Sequence, residues 1–109
     1  MKQKSVILTR FPFTNLRDYK IRPAVIVSNE KYNKSHSDFI ICPITTKQTM
    51  ADFEILIDKG NFSGYLEEIS FIRTDVIATI DKELSIKEIG QISESLFEKL
   101  LIKLQKNWQ

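Results

Sequence analysis

The chain has 109 residues, 42% hydrophobic and 28% charged, which suits one soluble domain, 1–109, with a modest core. No run of about 18 apolar residues occurs, which argues against a membrane helix. The basic start Met1-Lys-Gln-Lys-Ser5 leads into a short mixed segment holding Arg10, unlike a secretory signal, and a lone Cys42 allows no internal disulfide, so a reducing cytoplasm is the expected compartment. Net charge is +2, but residues 1–50 hold nine Lys/Arg against three Asp/Glu, whereas residues 51–109 hold seven against eleven. Charge alone favours scattered lysines that only aid solubility; the other reading of the asymmetry is a first half that faces a polyanion.

Ser5 to Phe11, rich in β-branched residues, predicts a first strand. Pro12, Asn15 and Asp18 mark the stretch up to Ile21 as a loop. That loop interleaves Phe13 and Tyr19 with Arg17 and Lys20, the combination that stacks bases and pairs phosphates in single-strand grooves. Phe11 and Phe13 suit anchoring it to the core better than stacking on bases. Arg22-Pro-Ala-Val-Ile-Val-Ser28 predicts a buried central strand starting at Pro23, with Arg22 at its mouth. A guanidinium fork on a rigid element grips phosphate or carboxylate, although pairing with Asp18 or Glu67 would also occupy it.

Glu30 to Ser37 is polar and turn-like, and its His36 is expected to be solvated. Asp38 to Thr45 predicts a third strand, with Pro43 signalling an edge, bulge or end. Thr45, Thr46, Lys47 and Gln48 then offer two hydroxyls, a cation and an amide, suited to a phosphate or a base edge, or simply to an ordinary strand end. A fourth strand is expected over Phe53 to Asp58, a turn over Lys59 to Gly64, a fifth strand over Glu67 to Arg73, one helical turn capped by Thr74 or Asp75, and a short strand over Ile89 to Ile92. Ser93 caps a helix whose Leu96, Phe97, Leu100, Leu101 and Leu104 share one face, with Trp108 continuing it. Five or six short strands with one terminal helix predict a mainly β, α+β fold: a small, bent antiparallel barrel. No CxxC or histidine cluster and no glycine-rich phosphate loop occurs, so neither metal nor other cofactor is expected.

Three blocks carry a family resemblance: Phe11-Pro-Phe-Thr14-Asn15; Arg22-Pro-Ala-Val-Ile-Val-Ser28 with Ile40-Ile-Cys-Pro-Ile-Thr-Thr46; and Ser70-Phe-Ile-Arg-Thr-Asp75 with Thr79-Ile-Asp81 and Ile89-Gly90. The chain resembles the MazF/PemK toxins of bacterial type II toxin–antitoxin systems. The resemblance implies an SH3-like barrel of the CcdB/MazF type that forms a homodimer. It also implies a metal-independent endoribonuclease that cuts single-stranded RNA at short sequences and is held by a cognate antitoxin. It makes Arg22 and Thr45 catalytic and Ser70 a supporting residue. Thr14, Asn15, Arg17, Lys20, Thr46, Lys47 and Gln48 are the expected RNA contacts. Two alternatives stay open: a gyrase-binding toxin like CcdB, which needs exposed apolar residues at the end of the last helix, and a non-catalytic RNA- or antitoxin-binding member. The family commonly opens its first strand with Gly-Asp; Lys4-Ser5 stands there instead, a departure expected near the loop covering the RNA groove.

Overall fold

Strands β1 (Ser5–Pro12), β2 (Tyr19–Ile26) and β3 (Asp38–Thr45) form the antiparallel centre of the computed structural model, which describes residues 1–12, 19–47 and 51–109. Successive residues of a strand point to opposite faces. Here both faces are buried, so the apolar runs of these strands supply two cores. Val6, Val25, Cys42 and Ile44 pack on one side with Ile55, Ile72 and the C-terminal helix. Ile7, Ala24, Ile26 and Ile41 pack on the other with Phe39 and Ile80. Phe11 lies partly buried against the second core, whereas Phe13 falls outside the described residues.

The structure extends β2 beyond expectation. Pro23 does not start it; the strand begins at Tyr19, and Pro23 pairs with Leu8. Pairing with β3 opens one residue later, at Ala24 opposite Pro43, so Pro23 lies just outside that ladder. The stretch after β2 is not a turn but a helix, α1 (Glu30–Ser35). Its signal was Asn29, whose side-chain oxygen accepts a 2.9 Å hydrogen bond from the Tyr32 amide.

Strands β4 (Glu54–Ile57), β5 (Phe62–Gly64), β6 (Ser70–Arg73), β7 (Ala78–Asp81) and β8 (Ser85–Ile92) complete the sheet in the order β4-β6-β3-β2-β1-β8-β5. β3 gives its first half to β7 and its last two residues to β6. The β1–β8 register slips between Val6 and Ile7 and again between Leu8 and Thr9, irregularities that bend a strand. The sheet curls into a nearly closed, SH3-like barrel carrying one C-terminal helix. The described residues hold eight strands rather than five or six. β5 has only three residues and reads as turn in the sequence; β7 follows a stretch expected to be helical. That helical turn is not formed. The Thr74 amide and hydroxyl both donate to the Phe53 carbonyl, at 2.7 and 2.8 Å, which ties the end of β6 to the turn before β4.

Helix α2 (Glu94–Lys106) starts as expected: the Ser93 hydroxyl accepts from the Leu96 amide at 3.1 Å, Glu94 sits in the first turn, and Lys103 and Lys106 sit in the last. Leu96, Phe97, Leu100 and Leu104 are buried, but Leu101 and Trp108 are exposed, by 44% and 79%, so the buried stripe is narrower than the spacing suggests. Ser93→Ala is expected to lower unfolding free energy by about 1 kcal/mol, measurable by urea titration, because the Leu96 amide loses its partner.

Lys4 adopts φ +77°, the left-handed region open to glycine. The backbone thus takes a glycine-like shape at a residue that is not glycine. Its amide donates to the Ile26 carbonyl, while its ammonium pairs with Glu94 and lies 5.8 Å above the Phe97 ring. Ser5 is buried; its hydroxyl accepts from the Lys2 amide and donates to Glu88. Lys4 and Ser5 stand at the opposite end of β1 from Pro12, and the loop they were expected to lie near falls outside the described residues.

Candidate nucleic-acid site

The β2–β3 ladder ends at Ala24 opposite Pro43. Arg22 and Thr45 each lie two residues farther along their own strand, so the continued register sets them across from one another. Strand alternation puts both on the face of Ala24, Ile26 and Ile41, together with Lys20. Beyond this point Ile44 and Thr45 pair with Ile72 and Phe71 of β6, on the other side of β3. Two residues separated by more than twenty positions are thus brought to one opening in the sheet.

Their surroundings differ. Arg22 is exposed and, among the described residues, makes no hydrogen bond or ion pair. On β1 it is paired with Thr9, which is buried and donates to the Leu84 carbonyl. Thr45 is half-buried, and its hydroxyl oxygen accepts from the Lys47 amide at 3.2 Å. That local bond orients the hydroxyl and leaves its proton available. The donor is the backbone amide, so the turn is a hydroxyl-closed one that any non-proline residue at 47 would complete.

The remaining candidates divide. Lys20, Thr46 and Lys47 are exposed around the opening. Thr46 turns to the other face, where it lines a cavity of about 370 Å³ with Leu8, Pro23, Tyr65, Glu67 and Ser70. Ser70 is therefore not on the face of Arg22 and Thr45; it is buried, and its hydroxyl donates to the Glu68 carbonyl at 2.9 Å. Thr14, Asn15, Arg17, Gln48 and the proposed Arg22 partner Asp18 lie outside the described residues. The cavity was not foreseen, because it forms from five separate stretches that only the three-dimensional fold joins.

Other reactive groups are spent structurally. Cys42 is fully buried, and loss of hydration together with the Asp75 charge pushes its thiol up to about 12. The thiol therefore stays protonated at neutral pH, and a soluble thiol reagent at pH 8 is expected to label Cys42 only after denaturation. Asp75 is held below the usual carboxylate range by the two-pronged contact with Arg73, at 2.6 and 3.1 Å. His36 is exposed and stacks on Tyr32 with ring centres 3.8 Å apart; Tyr32 in turn donates to Asp38 at 2.7 Å. Among the described residues no three His, Cys, Asp or Glu side chains gather to hold a metal, and no helix is long and apolar enough to cross a membrane.

Comparison with solved structures finds the same fold. A MazE–MazF complex from Deinococcus radiodurans superposes with a TM-score of 0.79 at 15% identity, over 99% of this chain and 95% of that one. An endoribonuclease in complex with its cognate antitoxin, from a mycobacterial species, gives 0.78 at 17% identity over 97% and 92%. The Mycobacterium tuberculosis toxin MazF-mt6 gives 0.74 at 23% identity over 94% and 93%. A search of curated proteins finds no match. The family described as "PemK-like, MazF-like toxin of type II toxin-antitoxin system" matches residues 2–107. Nearly the whole chain is covered by that match, and the chain belongs to this toxin family.

Proposed function

We propose that this protein is a single-domain, metal-independent endoribonuclease that cuts single-stranded RNA at short sequences, with Arg22 and Thr45 as its catalytic residues. The observation that carries the reading is the register that sets a guanidinium with no partner among the described residues across one opening from an oriented hydroxyl. The ribose 2′-oxygen loses its proton and bonds to the adjacent phosphorus; the bond from phosphorus to the 5′-oxygen breaks, and that oxygen takes up a proton. Arg22 clamps the non-bridging oxygens with two parallel hydrogen bonds as their charge grows. Thr45 donates to the same oxygens or aligns the 2′-hydroxyl. The products are a 2′,3′-cyclic phosphate and a 5′-hydroxyl. Lys20, Thr46 and Lys47, with Thr14, Asn15, Arg17 and Gln48, bind the flanking RNA, and Ser70 braces the segment behind the opening. The protein works in the cytoplasm as a homodimer held by a cognate antitoxin, a partner supported by the antitoxin complexes among its structural relatives.

The test is incubation of purified protein with mixed single-stranded RNA in EDTA, followed by analysis of the ends. Cyclic phosphate ends that vanish in Arg22→Ala support the reading; intact RNA with wild-type protein refutes it. A second reading, a gyrase-binding toxin, draws on the exposed apolar residues near the end of α2, Ile102 and Trp108, exposed by 53% and 79%. Intact RNA combined with inhibited supercoiling would select it.

A further inference from the structure

The positive charge of the first half does not form one face. Among the described residues, Arg10, Lys20, Arg22 and Lys47 stand at the end of the sheet where β2 and β3 part. Lys2, Lys4, Lys31 and Lys34 stand at the other end, where Lys4 meets Ile26 and α1 begins. Between the start of β1 and α1 runs a groove of about 830 Å³ that Lys2, Lys4, Lys34 and, from the end of β7, Lys82 all enter. Lys4 and Arg22 are related through Ile26, four residues along β2 from Arg22, so about 13 Å of strand separates the two ends.

We infer that this groove binds the phosphate backbone of the RNA beyond the segment held at Arg22, as a second anchoring site at the far end of the barrel. The inference deepens the nuclease reading and rests on it for the identity of the ligand. Two of the cations are held in place in advance. Lys82 donates to the Asn33 carbonyl and lies 5.3 Å from the centre of the Phe39 ring, and Lys4 lies over Phe97. Cations already fixed lose little freedom when a phosphate arrives. Two carboxylates oppose them: Glu30, 3.3 Å from Lys34, and Glu94 against Lys4. Lys2 has no side-chain partner among the described residues, and the side-chain amides of Gln3 and Gln91 add donors along the wall. The large apolar groups of the lining are Met1 and the 95%-buried Phe39, which leaves little for the apolar side chains of a docked peptide to fill. A charged, hydrogen-bonding wall without apolar sockets fits a sugar–phosphate chain.

The test is binding of all-2′-deoxy oligonucleotides, which have no 2′-hydroxyl to attack, to wild-type protein and to a Lys2→Gln/Lys34→Gln double variant. Oligonucleotides of about two and about twenty nucleotides separate one-ended from two-ended binding, since about two nucleotides fall short of the roughly 13 Å between the ends. The double variant is expected to bind the long strand about tenfold more weakly, with the slope of log K against log salt shallower by roughly 1.4, about 0.7 per lost phosphate contact. The short strand, which cannot span both ends, changes much less. Equal affinity and slope for the long strand in both proteins would overturn the inference, as would an acidic peptide of matched charge displacing the long strand as well as unlabelled oligonucleotide does. Wild-type protein that binds the long strand in this manner yet leaves the ribose strand uncut would sink the nuclease and keep the anchoring groove.

Discussion

Arg22→Ala is expected to cut RNA at least about 100-fold more slowly than wild type, the loss seen when one preorganised donor to developing charge is removed. The change belongs in kcat, because the guanidinium serves the transition state more than the bound ground state. Arg22→Lys keeps the charge and loses the fork, so it is expected to recover only part of the rate. Folding should be unaffected: Arg22 is exposed and unpaired among the described residues, so its removal costs within about 0.5 kcal/mol of stability. Thr45→Ser should retain most activity and Thr45→Val little, since only the first keeps a hydroxyl. The Arg22→Ala/Thr45→Val double variant should be scarcely slower than the worse single one if both groups act on the same linkage. Wild-type kcat/KM in Arg22→Ala, or additive losses in the double variant, would end the assignment.

Gly90→Ala is expected to be strongly destabilising. Gly90 of β8 pairs with Val6 on one side and Gly64 on the other. A Cβ there would lie 2.3 Å from the Ser63 carbonyl oxygen and 2.5 Å from Phe62 Cζ. The first neighbour is backbone, so relief requires β5 to move away and to draw Phe62 from its place against the main core. A cost of about 3 kcal/mol follows from overpacking of this kind, or roughly 10–20 °C in melting temperature. Gly60→Ala is the control, because its Cβ would meet only the Asp58 carboxylate, at 3.3 Å. Equal melting temperatures for the two variants would show that β5 yields freely.

What the sequence made legible was local. β3 was readable to its ends, since Asp38 and Thr45 bracket the apolar run Phe39 to Ile44, half of it isoleucine. Ser93 announced α2 because a cap is written within four residues. β7 was not readable: Ala78-Thr-Ile-Asp81 becomes a strand only because β3 offers it an edge. Trp108 continued an apolar spacing but lies beyond the surface that α2 covers. The candidate pair shows the same division. Arg22 and Thr45 were visible one by one as a fork and a hydroxyl, but their juxtaposition depends on strand register, set by the packing of Ile26 against Ile41 and of Val25 against Cys42. The two-ended charge distribution was invisible for the same reason, since a count along the chain adds lysines that the sheet sends to opposite ends.

The central strands lie between two cores, and amide exchange should record it. The amides of Val25 and Cys42 have apolar packing above and below, so they should yield their protons only when the whole molecule opens. β5, three residues long on the sheet's rim, should exchange through small openings that leave β2 intact. Unfolding would then begin at the rim and reach the middle of β2 last.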